Sequence, residues 1–216
     1  MALLVGLSAL SFLLMLVSFR LYVVLKAGRN CPFRAKESFA VVIVAGSGGH
    51  TSEVLRLTGS LSSAFSPRYY VVADTDRMSE EKISTFENSR GESTSQVQRF
   101  SICQIPRSRE VHQSWSSSVV STLKSFCSSL PLMFRIRPDM VLCNGPGTCV
   151  PLCVAALLLG ILGIKKVVIV YVESVCRVHT LSLTGKILYS LSDYFFVQWP
   201  SLRDKYPKSI FLGRIV

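Results

Sequence analysis

A glycine-rich loop stands between an apolar run and a helix-like pattern near the middle of the first hundred residues. It reads Gly46-Ser47-Gly48-Gly49-His50. Glycines allow backbone N–H groups to approach an anion closely, and the start of a helix supplies a favourable potential for negative charge. The spacing therefore predicts a phosphate-binding loop, with a tight turn that binds no ligand as the alternative.

Two well-known phosphate motifs do not fit this loop. A dinucleotide fingerprint requires its third glycine where Thr51 stands, and a P-loop requires a Gly-Lys-Ser/Thr sequence that is missing here. A membrane-anchored oxidoreductase with a nucleotide cofactor, using Asp74 on a ribose, stays open as a weaker alternative. Residues 74–76 also fit a plain turn followed by a helix cap.

A second glycine-containing loop, Asn144-Gly145-Pro146-Gly147, interrupts an uncharged stretch over residues 140–164. The part after the loop, residues 151–164, is about one helix and is short for a bilayer. We therefore expect this segment to be a buried helix packed on a sheet, and not a second membrane span.

Strands and helices are predicted to alternate from residue 39 onward. This order predicts an α/β fold with a doubly wound parallel sheet, Rossmann-like, in which ligands bind beyond the carboxyl ends of the strands. Thr51 or Ser52 is expected to cap the first helix of the domain. Strands are predicted at 39–45, 69–73, 96–105, 140–143, 166–172, 194–198 and 210–215, and helices at 51–63, 79–88, 115–135, 151–164 and 181–191.

The amino terminus predicts a membrane anchor over residues 1–25. This stretch carries only Arg20 as a charge, and about 24 helical residues extend roughly 36 Å, which spans a bilayer. A basic segment over 26–36 follows it, so the positive-inside rule places the domain of residues 37–216 in the cytosol, with Arg20 reaching the lipid headgroups. A cleaved signal peptide, the alternative, would carry its basic residues before the apolar core.

Charge and cysteine usage narrow the functional class. The chain has 24 Lys and Arg against 13 Asp and Glu, but the basic residues form no dense run beyond the membrane flank, which disfavours nucleic acid as a partner.

Seven cysteines, an odd number mostly in apolar stretches, indicate reduced core thiols rather than a disulfide framework. Cys149 and Cys153 share a helix face without a nearby histidine, so no metal site is expected.

Several motifs together resemble a known family. They are Val44-Ala45-Gly46-Ser47-Gly48-Gly49-His50-Thr51, Ala73-Asp74-Thr75-Asp76, Ile105-Pro106-Arg107-Ser108-Arg109-Glu110, Leu142-Cys143-Asn144-Gly145-Pro146-Gly147-Thr148 and Tyr171-Val172-Glu173-Ser174. With them, the cytosolic part is similar to the membrane-anchoring subunit of the eukaryotic dolichyl-diphosphate N-acetylglucosamine transferase. The first motif also resembles the first glycine-rich loop of the bacterial lipid-linked GT-B transferase of peptidoglycan synthesis, which carries a further glycine where Ala45 stands here.

The resemblance implies one half of a GT-B enzyme that is split into two chains. This chain would be the amino-terminal, acceptor-binding half, inactive alone, and a partner subunit would bind the donor UDP-N-acetylglucosamine. The complex would add the second N-acetylglucosamine to N-acetylglucosaminyl-diphospho-dolichol, with inversion and without a metal or other cofactor, on the cytosolic face of the endoplasmic reticulum. A membrane recruiter that contributes no chemistry is the alternative.

The resemblance also implies roles for individual residues. His50 matches a histidine that would act as general base or phosphate donor, unless it only caps the helix, and Glu173 would act as base or position the acceptor hydroxyl, unless it is a structural carboxylate. Arg107 and Arg109 would contact phosphate or headgroups, or form a solvated basic loop. The acceptor diphosphate would bind at Gly46, Ser47, Gly48, Gly49, Asn144, Gly145 and Gly147, and the partner at Ile210, Phe211, Leu212, Ile215 and Val216.

Removal of the apolar segment tests the anchor. We expect a protein that begins near Lys36 to be released from membranes by alkaline or high-salt extraction, because it lacks the only long apolar run before the domain. Sedimentation of extracted membranes measures the released fraction. Retention as complete as that of the full chain would mean that the domain itself is embedded.

Overall fold

The computed structural model describes residues 2–27, 37–93, 99–110 and 113–216. The predicted basic segment over 26–36 falls outside these residues except for Lys26 and Ala27. His112 and Cys31 lie outside them as well.

Seven parallel strands form one sheet, as the alternating pattern predicted. Their spatial order is β3-β2-β1-β4-β5-β6-β7, so the chain first builds outward from β1 and then returns to continue on its other side at β4. The strands are β1 (Val41–Val44), β2 (Arg68–Ala73), β3 (Phe100–Ile105), β4 (Met140–Asn144), β5 (Val168–Val172), β6 (Tyr194–Val197) and β7 (Ile210–Phe211).

Helices cover both faces of the sheet, which confirms the doubly wound architecture. The prediction missed the last short helix and placed several boundaries two or more residues away from those observed. The helices are α1 (Ala2–Ala27), α2 (Gly49–Gly59), α3 (Arg77–Ser93), α4 (Trp115–Ile136), α5 (Cys149–Ile161), α6 (Leu183–Leu188) and α7 (Pro200–Lys205).

The start of α2 differs from the prediction in a way that matters for the site. The helix begins at Gly49, after Gly48 with a φ of 67°, so neither Thr51 nor Ser52 caps it. Thr51 is buried inside the first turn, where its hydroxyl bonds to the carbonyl of Gly46 and lies 2.7 Å from Oγ of Ser79. Because the helix starts two residues early, His50 lies in its first turn.

The core has two parts, one on each face of the central strands. Every residue of β1 is buried, as expected for a strand covered on both faces. Helix α5 is buried along most of its length and packs on α4, which confirms that this apolar segment is a core helix. Cys149 and Cys153 are fully buried in that core, as predicted.

Helix α1 is the one described helix that is long and apolar enough to cross a membrane, over Gly6–Lys26. Its carboxyl-terminal turns contact α5, where Val24 lies against Gly160. The Nε of Arg20 donates to the carbonyl of Ile161 at 3.1 Å. The cationic side chain thus caps the carboxyl-terminal end of α5, where the helix dipole favours positive charge.

A buried ion pair fixes α3 on the outer part of the sheet. Arg68 of β2 contacts both oxygens of Glu87 at 3.1 to 3.2 Å, and Tyr70 donates to the same carboxylate. Arg68 and Glu87 are almost completely buried. Breaking such a pair leaves a charge in a low-dielectric interior, which costs about 3 to 5 kcal/mol.

We expect Glu87→Ala to lower the free energy of unfolding of the detergent-solubilised chain by about that amount, ~3 to 5 kcal/mol. Urea unfolding followed by circular dichroism measures it. Glu81→Ala, at an exposed position of the same helix, is the matched control and should change little. Equal effects of the two substitutions would contradict a stabilising role of the pair.

Candidate functional site

The carboxyl ends of β1, β4 and β5 bring the predicted site residues together. These strands are neighbours in the sheet, and each is followed by one of the predicted loops. The glycine loop after β1 leads into α2, whose first turn carries His50. Asn144 ends β4, Gly145 begins the loop after it, and Glu173 directly follows β5. The crevice lies where the chain switches from β1 to β4, the usual ligand site of this architecture.

His50 is held by the loop after β4. Its Nδ1 lies 3.2 Å from Oδ1 of Asn144, which is fully buried and donates from Nδ2 to the carbonyl of Val172. The imidazole lies directly over Gly145, where an added Cβ would overlap Cε1 and would lie 2.6 Å from Nδ1. With a φ of 73° as well, position 145 requires glycine for two independent reasons.

Glu53, one turn after His50 on α2, was not singled out by the sequence analysis. Its Oε2 lies 3.6 Å from Nδ1 of His50, and its Oε1 accepts a hydrogen bond from Ser174 at 2.8 Å. The Glu53 carboxylate, helped by Asn144, raises the pKa of His50 against the opposing effect of burial. Burial pushes the pKa of Glu53 upward, but its close contact with the His50 ring and the hydrogen bond from Ser174 outweigh this and leave that pKa lowered.

Glu173 is fully buried, and its carboxylate is enclosed by donors. Oε1 accepts from Tyr171 and from the backbone N–H of Ser174, and Oε2 accepts from the backbone N–H and hydroxyl of Ser182 at 3.0 and 3.1 Å. Gly185 approaches so closely that an added Cβ would overlap Oε2. Burial, with the nearby Glu173 charge, raises the pKa of Tyr171, so the phenol stays a donor. These contacts favour the structural interpretation of Glu173.

A polar cleft of about 390 Å³ opens beside His50. The side chain of His50 is 36% exposed there, and its Nδ1 is occupied by the inner contacts, so Nε2 is the nitrogen available to a ligand. Further lining comes from the loop after β5, whose Cys176 and Arg177 were not predicted. The cleft is lined by Gly49, His50, Glu53, Gly145, Glu173, Ser174, Cys176, Arg177 and Ser182.

A smaller pocket of about 60 Å³ lies on the other side of the glycine loop. Gly46 and Ser47 face Gly147 and Thr148 across it, and Arg107 and Arg109 close it from the loop after β3. The Nε atom of Arg107 is buried and has no hydrogen-bond partner among the described residues. Glycine backbone and guanidinium groups around so small a volume form an arrangement suited to a phosphate group.

An apolar groove of about 280 Å³ runs from this pocket between α4 and α6. It shares Ser108, Arg109 and Gly147 with the smaller pocket, and the guanidinium of Arg109 stacks on the ring of Trp115 at 4.4 Å. The predicted basic loop is therefore not simply solvated. The apolar lining consists of Trp115, Val119, Leu123, Val150, Leu183 and Ile187.

The predicted partner-contact segment begins at β7, the edge strand of the sheet beside β6. Phe211 is 37% and Leu212 is 67% exposed. Ile215 and Val216 pack against the core, and the backbone N–H of Ile215 donates to Gln198. Within the segment, Phe211 and Leu212 are thus the side chains that remain available for an interface.

Metal ligation finds no support in the part of the chain that the structure describes. No group of three or more His, Cys, Asp or Glu side chains is placed there to hold an ion. Asp76 caps the start of α3 by accepting from the backbone N–H and hydroxyl of Ser79, which fits the turn and helix cap expected over residues 74–76.

The raised pKa of His50 predicts a pH dependence. A histidine whose folded pKa exceeds 6.5 stabilises the fold fully below that value, and the stabilisation is lost as the pH rises through the folded pKa. We expect the His50 ring resonance of the 13C-histidine-labelled, detergent-solubilised chain to titrate above 6.5. His50→Gln identifies the resonance, and a midpoint at or below 6.5 would contradict the contact with Glu53.

Comparisons with known proteins give a family match over most of the chain. A family described as "Oligosaccharide biosynthesis protein Alg14 like" matches residues 41–215. The human protein named UDP-N-acetylglucosamine transferase subunit ALG14 is 62% identical over 199 residues, which is 91% of this chain and 91% of that protein.

Solved structures show the fold at much lower sequence identity. MurG of Acinetobacter baumannii superimposes with a TM-score of 0.55 at 19% identity, over 76% of this chain and 42% of that one. A putative UDP-N-acetylglucosamine 2-epimerase from Listeria monocytogenes superimposes with a TM-score of 0.58 at 13% identity, over 80% of this chain and 42% of that one. This chain thus matches about two fifths of each of these two structures. The family match over most of the chain and the identity to the human protein together show that this chain belongs to the Alg14 family of oligosaccharide biosynthesis proteins.

Proposed function

We propose that this chain is the membrane-anchored, acceptor-binding subunit of a two-chain UDP-N-acetylglucosamine transferase. It binds N-acetylglucosaminyl-diphospho-dolichol at the endoplasmic reticulum membrane, with its domain on the cytosolic side, and recruits the subunit that binds the donor. Together they add the second N-acetylglucosamine in the synthesis of the lipid-linked oligosaccharide. The human relative is named as a transferase subunit, and this name supports the proposal together with the single Rossmann-like sheet of the described residues.

The position of His50 at the strand-switch crevice carries the proposal, because His50 lines the polar cleft and the phosphate-sized pocket lies on the other side of the glycine loop. The acceptor diphosphate lies against the loops at Gly46 and Gly147, with Arg107 and Arg109 as cationic partners. The acceptor sugar occupies the polar cleft. The isoprenoid chain leaves along the apolar groove past Trp115, which suits a lipid that carries a diphosphate at its end.

The reaction is a single displacement. The acceptor hydroxyl oxygen attacks C1 of the donor sugar, the new C1–O bond forms as the C1–O bond to UDP breaks, and UDP leaves with the bonding electron pair. The hydroxyl proton passes to Nε2 of His50, the ring nitrogen that faces the cleft. One displacement inverts the configuration at C1.

Glu173 has a structural role at the same site. Because four donors surround its carboxylate, it holds the loop after β5 against the start of α6 and does not take the proton itself. The partner subunit contacts the β7 end of the sheet through Phe211 and Leu212, the exposed apolar residues of the carboxyl-terminal segment.

Reconstitution tests the proposal. The full-length chain, the donor-binding subunit and both together are assayed with UDP-N-acetylglucosamine and N-acetylglucosaminyl-diphospho-dolichol. We expect turnover only with both chains, and we expect His50→Ala in an assembled complex to lower kcat by about 10² to 10⁴, the usual cost of losing a general base.

His179→Ala, at an exposed histidine outside the crevice, is the control and should keep normal turnover. Full turnover by this chain alone would contradict the two-chain enzyme. Normal turnover of an assembled His50→Ala complex would instead favour the membrane recruiter that contributes no chemistry.

A further inference from the structure

We propose that Glu53 is a positioning residue that acts through His50, holding the imidazole in place and stabilising the imidazolium that forms when His50 accepts the acceptor proton. This inference rests on the proposed function of the same site. Neither the glycine-loop motif nor the names of the relatives assign a role to this carboxylate.

The backbone places Glu53 for this role. It lies three residues after His50 on α2, so the two side chains share one face of the helix. The Glu53 side chain is only 11% exposed, and Ser174 holds its Oε1 from the loop after β5. Oε2 is buried without a hydrogen-bond partner among the described residues and lies 3.6 Å from Nδ1 of His50.

Asn144 and Glu53 have different tasks at the same ring nitrogen. Because Nδ2 of Asn144 donates to the carbonyl of Val172, its Oδ1 faces His50 and accepts the proton of Nδ1. This selects the neutral tautomer with its lone pair on Nε2, in the cleft. Asn144 carries no charge, however, and the carboxylate of Glu53 supplies the charge that favours proton uptake.

Other charged groups face the pair from the loop after β5. Glu173 lies near His50 at the strand end but its carboxylate is enclosed by Tyr171, Ser174 and Ser182. Arg177 and the thiol of Cys176 line the same cleft. Among the carboxylates of this cleft, Glu53 is therefore the one with an oxygen directed at the ring.

The test compares Glu53→Gln with Glu53→Asp in the full-length chain assembled with the donor-binding subunit. We expect Glu53→Gln to lower kcat by roughly 10 to 100-fold, the usual effect of removing a residue that orients a functional side chain. KM for UDP-N-acetylglucosamine should stay unchanged. In the plot of kcat against pH, the acid limb should move to lower pH, because loss of the negative charge of Glu53 lowers the pKa of His50. Glu53→Asp keeps the charge, so its acid limb should stay near that of the wild type while kcat falls through the shorter reach.

Glu81→Gln on α3 is the control for loss of an exposed carboxylate and should leave the kcat profile unchanged. A Glu53→Gln complex with normal kcat and an unmoved acid limb would overturn the inference. If the Glu53→Gln chain does not assemble with the donor-binding subunit, the Glu53→Asp complex alone tests the inference. Either a normal kcat or an acid limb displaced from that of the wild type would then overturn the inference.

NMR titration of His50 in the isolated chain separates this inference from the proposed function. Glu53→Gln should lower the His50 pKa whether or not the partner is present, and an unchanged pKa would refute the contact itself. If the pKa falls but His50→Ala complexes turn over normally, the proposed chemistry fails and the positioning role falls with it. If His50→Ala is inactive but Glu53→Gln is normal, only the positioning role fails.

Discussion

The parallel sheet is the constraint on which the rest of the structure depends. Strands that all run in one direction present all their carboxyl ends at a single edge, and the switch from β1 to β4 leaves a crevice between two loops there. The loops at Gly46, Asn144 and Glu173 are far apart in sequence but meet at that edge. No single segment of the chain could assemble the same set of groups.

Close packing at the crevice explains why glycine and histidine occur together. The imidazole of His50 rests on the backbone of Gly145, and the same backbone has a left-handed conformation that disfavours any side chain. Asn144 extends this arrangement inward by joining the ring to the carbonyl of Val172 on β5. The general base of the proposed reaction is thus fixed by the ends of two strands as well as by its own helix.

The apolar helix α1 and the candidate site are connected through α5. Arg20 of α1 bonds to the carboxyl-terminal carbonyl of Ile161, and Val24 packs on Gly160, whereas the amino-terminal end of α5 follows the loop at Gly147. One buried helix therefore lies between the apolar amino-terminal helix and the proposed phosphate loops.

The sequence alone determined the fold class, the long apolar helix at the amino terminus and the loops at the carboxyl ends of the strands, because hydrophobic periodicity and glycine spacing are local properties. It placed the start of α2 two residues too late, and it left the surroundings of Glu173 and of Arg107 open. Only the tertiary structure decided these. The hydroxyl of Thr51 contacts Gly46 and Ser79 instead of capping the helix, and the carboxylate of Glu173 accepts hydrogen bonds from Ser182, nine residues further on.

Glu53 could have been noticed from its spacing to His50. The orientation of the Glu53 side chain depends on Ser174, however, and that of His50 depends on Asn144, which is 94 residues away. Such partners depend on strand order, and strand order arises from packing the whole sheet, which local sequence patterns do not encode.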